Sequence, residues 1–197
     1  MPNFYGPVKP QYDINENTTI GQKLHEIASR EDVKAFLETG TQCGGSARCI
    51  GSALKDTEGI LHTFEAIEER VIESRENLEG LPVTVHWSST LNEAGLKGYY
   101  NRHVNQIKEA DGSFEKLLDE VQFDAVFLDS CVVSQQYELE TIINTQRPTH
   151  ILMHEPDAKC PNYPQFMIQA GYDLIDHGND EINGHNPLWT YHRRVEV

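Results

Sequence analysis

Apolar and polar positions along this chain follow two periods that take turns. In "IGQKLHEIASRE" (20–31) apolar side chains recur at Ile20, Leu24 and Ile27, the spacing of one helix face. "VKAFLET" (33–39) then reads as a strand, "GGSARCIGSALKD" (44–56) as a helix opened by glycines, and "GILHTFEAI" (59–67) as a second strand. A charged helix, "EERVIESRENLEG" (68–80), is expected to stop at Gly80, because glycine suits the residue beyond a helix end. "LPVTVHWSS" (81–89), "DAVFLDS" (124–130) and "THILMHE" (149–155) read as strands three to five, with the helix "SQQYELETIINTQ" (134–146) between the last two. The tail supplies a short helix, "NYPQFMIQAG" (162–171), and two strands, "YDLIDHG" (172–178) and "PLWTYHRRVEV" (187–197). Their link, "NDEINGHN" (179–186), is too short for a crossover helix, so this pair is expected to be antiparallel. The stretch 91–120 is too long for a simple connection and predicts an extra helix or a lid, with the lid insertion placed at 91–112.

Alternating strands and helices that end in an antiparallel pair predict an α/β fold. The expected architecture is a Rossmann-like, doubly wound, mostly parallel sheet of about seven strands with helices on both faces. A chain of 197 residues suits one domain over 1–197, with 1–18 as an irregular N-terminal arm lying on the body or on a second copy in a homo-oligomer. The arm lacks the basic and apolar regions of a signal peptide, and no apolar run reaches the about 18 residues of a membrane span. The formal net charge of -15 argues against nucleic acid and anionic membranes as partners, since both require cations on the protein. Cys43, Cys49, Cys131 and Cys160 form no C-x-x-C pair and are expected as free thiols in a reducing, cytoplasmic setting.

The densest chemistry lies in "FLETGTQCGGSA" (36–47), where an apolar run meets Glu38 and then Gly40, Gly44 and Gly45. Glycine weakens both helix and strand, so its recurrence at a strand end points to a close approach to the backbone. In an open parallel sheet, ligands bind beyond the carboxyl ends of the strands, where the strand order reverses. A glycine turn there offers backbone N–H groups and a helix N-terminus to the ligand. The stretch departs from G-x-G-x-x-G and lacks the lysine of a phosphate loop. Glu65 stands 20 residues after Gly45, the offset at which an acid accepts hydrogen bonds from the two hydroxyls of an adenosine ribose. Its competing reading is an acid in the first turn of the next helix, beside Glu68 and Glu69.

"FLETGTQCGGSA", "HTFEAI", "FDAVFLDS" and the closing strands together resemble class I S-adenosylmethionine-dependent methyltransferases. The branch with E-x-G-x-x-x-G-G-S after the first strand, the cephalosporin-hydroxylase-type and macrocin-type O-methyltransferases, is the most similar. The resemblance covers roughly residues 33–195 and implies a cofactor set of Glu38, Gly40, Thr41, Gly44, Ser46, Glu65, Ser88 and Asp129. It puts Glu38 and Gly40 beside the methionine part, Glu65 at the ribose, "HWSST" with Ser88 near the adenine, and Asp129 facing cofactor and substrate. The implied reaction is methyl transfer to an oxygen of a small-molecule acceptor or a sugar. The family often writes D-G-x-H or D-x-x-H after strand four. Here the sequence is "DSCVV", so Asp129 has no histidine close behind it.

Strand five ends in "THILMHEPDAKC". Alternation puts residues 150, 152 and 154 on one side, which removes the helical geometry that His150 and His154 would need to chelate zinc. Outside a metal site, His150 is expected in solvent and His154 partly buried. Asp129 and Glu155 end neighbouring strands and could hold Mg2+ through oxygen ligands, provided the chain turns at Pro156. His154, a poor magnesium ligand, is instead a general-base candidate, so the catalytic pair is Asp129 and His154. Tyr99, Tyr100, Arg102 and His103 in the insertion could hold a substrate or pack on the sheet, while Trp189 and Tyr191 are expected in the core. Two other functions stay open: a nonenzymatic or degenerate binding module of the same fold, and an NAD-dependent oxidoreductase, which the Gly45 to Glu65 offset also suits.

Overall fold

The computed structural model describes residues 13–91, 111–181 and 185–195. Most of the expected arm and lid, including Tyr99, Tyr100, Arg102 and His103, lies outside the described residues, as do 182–184 of the last link. The elements run α1 (Thr19–Ala28), β1 (Ala35–Thr39), α2 (Gly45–Thr57), β2 (Ile60–Glu65), α3 (Glu68–Asn77), β3 (Val83–Trp87) and α4 (Ser113–Glu120). They continue with β4 (Ala125–Leu128), α5 (Gln135–Thr145), β5 (His150–His154), α6 (Pro156–Lys159), α7 (Tyr163–Gln169), β6 (Tyr172–Asn179) and β7 (Leu188–Arg194).

The strands form one seven-stranded sheet in the order β3-β2-β1-β4-β5-β7-β6. β1 to β5 are parallel, and β7 inserts antiparallel between β5 and β6. The closing pair is therefore antiparallel, as its short link requires.

Both faces of the sheet are covered because the central strands are apolar on alternate sides. Phe36, Phe127 and Leu152 pack with Ile20, Leu24 and Ile27 of α1 and Ile50 and Leu54 of α2. Leu37, Val126 and Met153 face the other way, onto α4, α5 and α7 through Leu117, Leu139, Ile142 and Met167. Trp189 and Tyr191 are core residues, as expected. His150 is not in solvent: it is fully buried, and its Nδ1 lies 2.9 Å from the Tyr191 hydroxyl. Pairing with β7 covers β5, which the strand's own sequence does not reveal.

The strand order reverses between β1 and β4. Glu38, Gly40, Asp129 and Ser130 thus meet at the carboxyl edge of the sheet, with the ends of β2 and β5 on either side.

Candidate functional site

A cavity of about 400 Å³ opens at this switch point. Of the expected cofactor residues, Gly40, Thr41, Ser46, Glu65, Ser88 and Asp129 line it; Glu38 and Gly44 do not. Asp13 and Ile14 from the end of the arm, Thr90 and Leu91 before the insertion, and Glu155 and Lys159 after β5 complete much of the wall.

Of the groups expected to face a ligand at the glycine turn, several backbone donors are engaged within the chain, while the helix N-terminus lines the cavity. The N–H groups of Gly40 and Thr41 both donate to the Phe64 carbonyl, at 3.0 and 3.1 Å, and that of Gln42 donates to Glu65 Oε2 at 2.9 Å. These donors are spent tying the β1 turn to the end of β2. What faces the cavity is the first turn of α2, whose Gly44 N-cap has φ of 92° and offers no side-chain cap. The open N–H groups of a first turn suit an anionic group such as a carboxylate. Gly40 (φ 89°) serves the chain itself, because a Cβ there would stand 2.5 Å from the Asp129 carbonyl oxygen.

Glu38 sits beneath the turn, fully buried, with Oε2 accepting from the Thr63 hydroxyl at 2.5 Å and Thr63 in contact with Thr41 at 2.6 Å. Its Oε1 has no partner among the described residues. Burial pushes its carboxyl up to about 7, against the Ser46 and Thr63 hydroxyls, which oppose the rise. Glu65 ends β2 and accepts N–H groups on both oxygens, from Gln42 and from Ile67, each at 2.9 Å. Each carboxylate oxygen keeps a second lone pair, so further acceptance is open. Ser88 donates to Asp111 at 2.9 Å, pinning the end of β3 to the far side of the insertion.

At the end of β4, Asp129 Oδ1 receives Lys159 Nζ at 2.8 Å and His154 Nδ1 at 2.9 Å. Burial would push this carboxyl up, but His154 and Lys159 together hold it below its usual value. An ionised carboxylate only accepts, so His154 Nδ1 carries its proton toward Asp129. In the neutral ring Nε2 then presents a lone pair. Nε2 is buried and has no partner among the described residues, and His154 lines the cavity. An imidazole thus reaches Asp129 from the neighbouring strand, although no histidine follows it closely in sequence. Glu155 takes φ of 52°, and the chain turns into α6 at Pro156, so both 154 and 155 reach the cleft.

Asp129, His154 and Glu155 each offer a ligand atom within 4.8 Å of the others. They nonetheless fit Mg2+ poorly, because Lys159 Nζ stands between the two carboxylates, 2.8 Å from Asp129 and 3.2 Å from Glu155 Oε2. Lys159 escaped the sequence reading, although Glu155 and Lys159 stand four apart, one helical turn.

Glu138 was also missed. Fully buried on α5, it accepts from Thr39 at 2.7 Å, from Ser130 at 2.6 Å and from Thr90, joining the ends of β1 and β4 to the stretch after β3. Burial pushes its carboxyl up, while the Ser130, Thr90 and Thr39 hydroxyls oppose it. It lies on the buried stripe of α5 with Gln135, Leu139 and Ile142.

The model of the methyltransferase domain family matches residues 37–154. No curated protein sequence matches the chain. Among solved structures, an O-methyltransferase from Bacillus cereus in complex with SAH is similar at 17% identity and a TM-score of 0.67, over 94% of this chain and 84% of that one. The O-methyltransferase TomG from Streptomyces achromogenes, involved in tomaymycin synthesis and solved with SAM, is similar at 16% identity and a TM-score of 0.65, over 95% and 83%. An SAH-bound methyltransferase from Podospora anserina is similar at 17% identity and a TM-score of 0.56, over 90% and 78%. At such identities these likenesses show the fold, while the family model spans more than half of the chain. Its glycine turn and strand-end acids resemble the S-adenosylmethionine-dependent class, and by the family model this protein belongs to the methyltransferase domain family.

Proposed function

We propose that this protein methylates a hydroxyl oxygen of a small molecule, with His154 as the base that takes the hydroxyl proton. One observation carries the assignment of the base: His154, a residue of the cavity lining, is fixed on Asp129 through Nδ1, while its Nε2 is buried and has no partner among the described residues. When bound, S-adenosylmethionine supplies a methyl on a sulfonium, whose C–S electron pair returns to sulfur as the acceptor oxygen's lone pair forms the new O–C bond.

The chain's residues support this cofactor. Glu65, Asp129 and Glu138 surround the cavity with carboxylates suited to a ligand carrying an ammonium and a sulfonium. Glu65 would hold the ribose, the open first turn of α2 the amino-acid end, and Ser88 the adenine side. Asp129 orients the imidazole and stabilises it once protonated, and is not itself the base. The hydroxyl proton passes to Nε2 as the oxygen attacks, so charge never builds fully on the acceptor. Beyond this the protein contributes orientation and exclusion of water.

The net charge of -15 favours a small acceptor over nucleic acid. No helix among the described residues is long and apolar enough to cross a membrane. The four cysteines are free thiols, which supports a reducing, cytoplasmic setting. The degenerate-module reading rested on the missing histidine and loses that support once His154 takes the place. The family match favours methyl transfer over a nicotinamide oxidoreductase.

The test is release of S-adenosylhomocysteine from S-adenosylmethionine with a panel of hydroxyl-bearing small molecules, followed against pH. His154→Ala should lower kcat by about 10²–10⁴, the usual contribution of a general base, and remove the rising limb of the profile. Equal turnover in His154→Ala and wild type at every pH would end this assignment.

A further inference from the structure

Lys159 is held where a divalent ion would otherwise bind. It closes α6, a single turn that starts at buried Pro156, and its backbone N–H donates to the Glu155 carbonyl at 2.9 Å. Its side chain is 11% exposed and its ammonium bridges Asp129 Oδ1, at 2.8 Å, and Glu155 Oε2, at 3.2 Å. A magnesium ion ligated by the same two oxygens would lie about 2.0–2.1 Å from each, overlapping the volume of Nζ. Binding the ion would require withdrawing a mostly buried ammonium and breaking two charge-assisted contacts. The carboxylate and the lysine come from one helical turn, so the pairing is built into the chain.

We infer that Lys159 is the resident cation of this site, that it excludes divalent metal, and that the acceptor is therefore taken through a single hydroxyl rather than chelated through two oxygens. The last part rests on the methyl-transfer reading. The charges agree with it. Asp129, Glu155 and Lys159 together carry one net negative charge, and a proton arriving on His154 brings the cluster to neutrality. A divalent ion in place of the ammonium would leave the cluster neutral beforehand and oppose that proton. An ammonium offers no open coordination positions, so this cation does not select a pair of neighbouring oxygens, and the hydroxyl's proton needs the base that His154 provides.

The experiment is titration of the full-length protein with Mn2+, read by calorimetry and by the electron paramagnetic resonance of the free ion. Wild type should show no saturable site up to millimolar Mn2+. Lys159→Met should gain one site per chain, at least tenfold tighter than anything in wild type, and adding Asp129→Asn should remove it. Lys159→Arg keeps a cation and should behave as wild type, which holds the test open even if the methionine variant folds poorly. A stoichiometric, Asp129-dependent Mn2+ site in wild type overturns the inference, and so does a folded Lys159→Met that gains nothing. S-adenosylmethionine titrated into the same samples keeps the two readings apart: failure to bind it defeats the methyl-transfer reading and leaves the Mn2+ result to decide the cation.

Discussion

Two side chains carry opposite electrostatic assignments within the site. Asp129 is stabilised as a carboxylate by His154 and Lys159, which suits it to the orienting role proposed above. Glu38 receives only hydroxyls, and burial raises it to about 7. Because its folded value lies above the ordinary 4.5, Glu38 favours folding at low pH, and that contribution disappears as pH rises toward 7. Glu38→Gln keeps the shape and cannot ionise. Relative to wild type, the variant should therefore gain about 1–3 kcal/mol in stability between pH 5 and pH 8, each pKa unit being worth about 1.4 kcal/mol. Urea unfolding at the two pH values measures this. A difference between variant and wild type that does not change with pH contradicts the assignment.

At the scale of elements, the turn after β1 depends on how closely two strand ends approach. A methyl at Gly40 would meet the Asp129 carbonyl oxygen at 2.5 Å and the Ser130 nitrogen at 3.0 Å, both backbone, with φ of 89°. Gly80 has a similar φ of 78° but nothing within 4 Å of a Cβ. Gly80→Ala should cost about 1–2 kcal/mol, the left-handed penalty alone, whereas Gly40→Ala should cost clearly more and displace Asp129, weakening cofactor binding as well. Equal costs in urea unfolding would contradict the close approach. The elements themselves were legible in sequence because each central strand is apolar on both faces and each helix on one, and the strand-end candidates Gly40, Glu65, Asp129 and His154 followed from position in an α/β sheet. Lys159, Thr63 and Glu138 were not legible, because each matters through a partner far away in sequence. Lys159 acts on Asp129, Thr63 on Glu38, and Glu138 on hydroxyls at the end of β1 and just after β3 and β4. The close neighbour that requires Gly40 was not legible for the same reason, since it is the Asp129 carbonyl just after β4.

Across the whole molecule, the reversal of strand order, the acidic balance and the cavity converge on one place. Glu65 is the proposed meeting point of cofactor and scaffold, since its oxygens hold the turn through Gln42 and the start of α3 through Ile67 while the residue lines the cavity. The account stands on this cavity binding S-adenosylmethionine. The direct test is isothermal titration of the cofactor into wild type and Glu65→Ala, with NAD as the comparison ligand and thermal unfolding as a check that the variant is folded. Wild type should bind S-adenosylmethionine in the micromolar range and more tightly than NAD. Glu65→Ala should bind it about 1.5–3 kcal/mol more weakly, as expected for hydrogen bonds to a charged group. No binding to wild type at millimolar cofactor, tighter binding of NAD, or unchanged affinity in a folded Glu65→Ala would contradict the account.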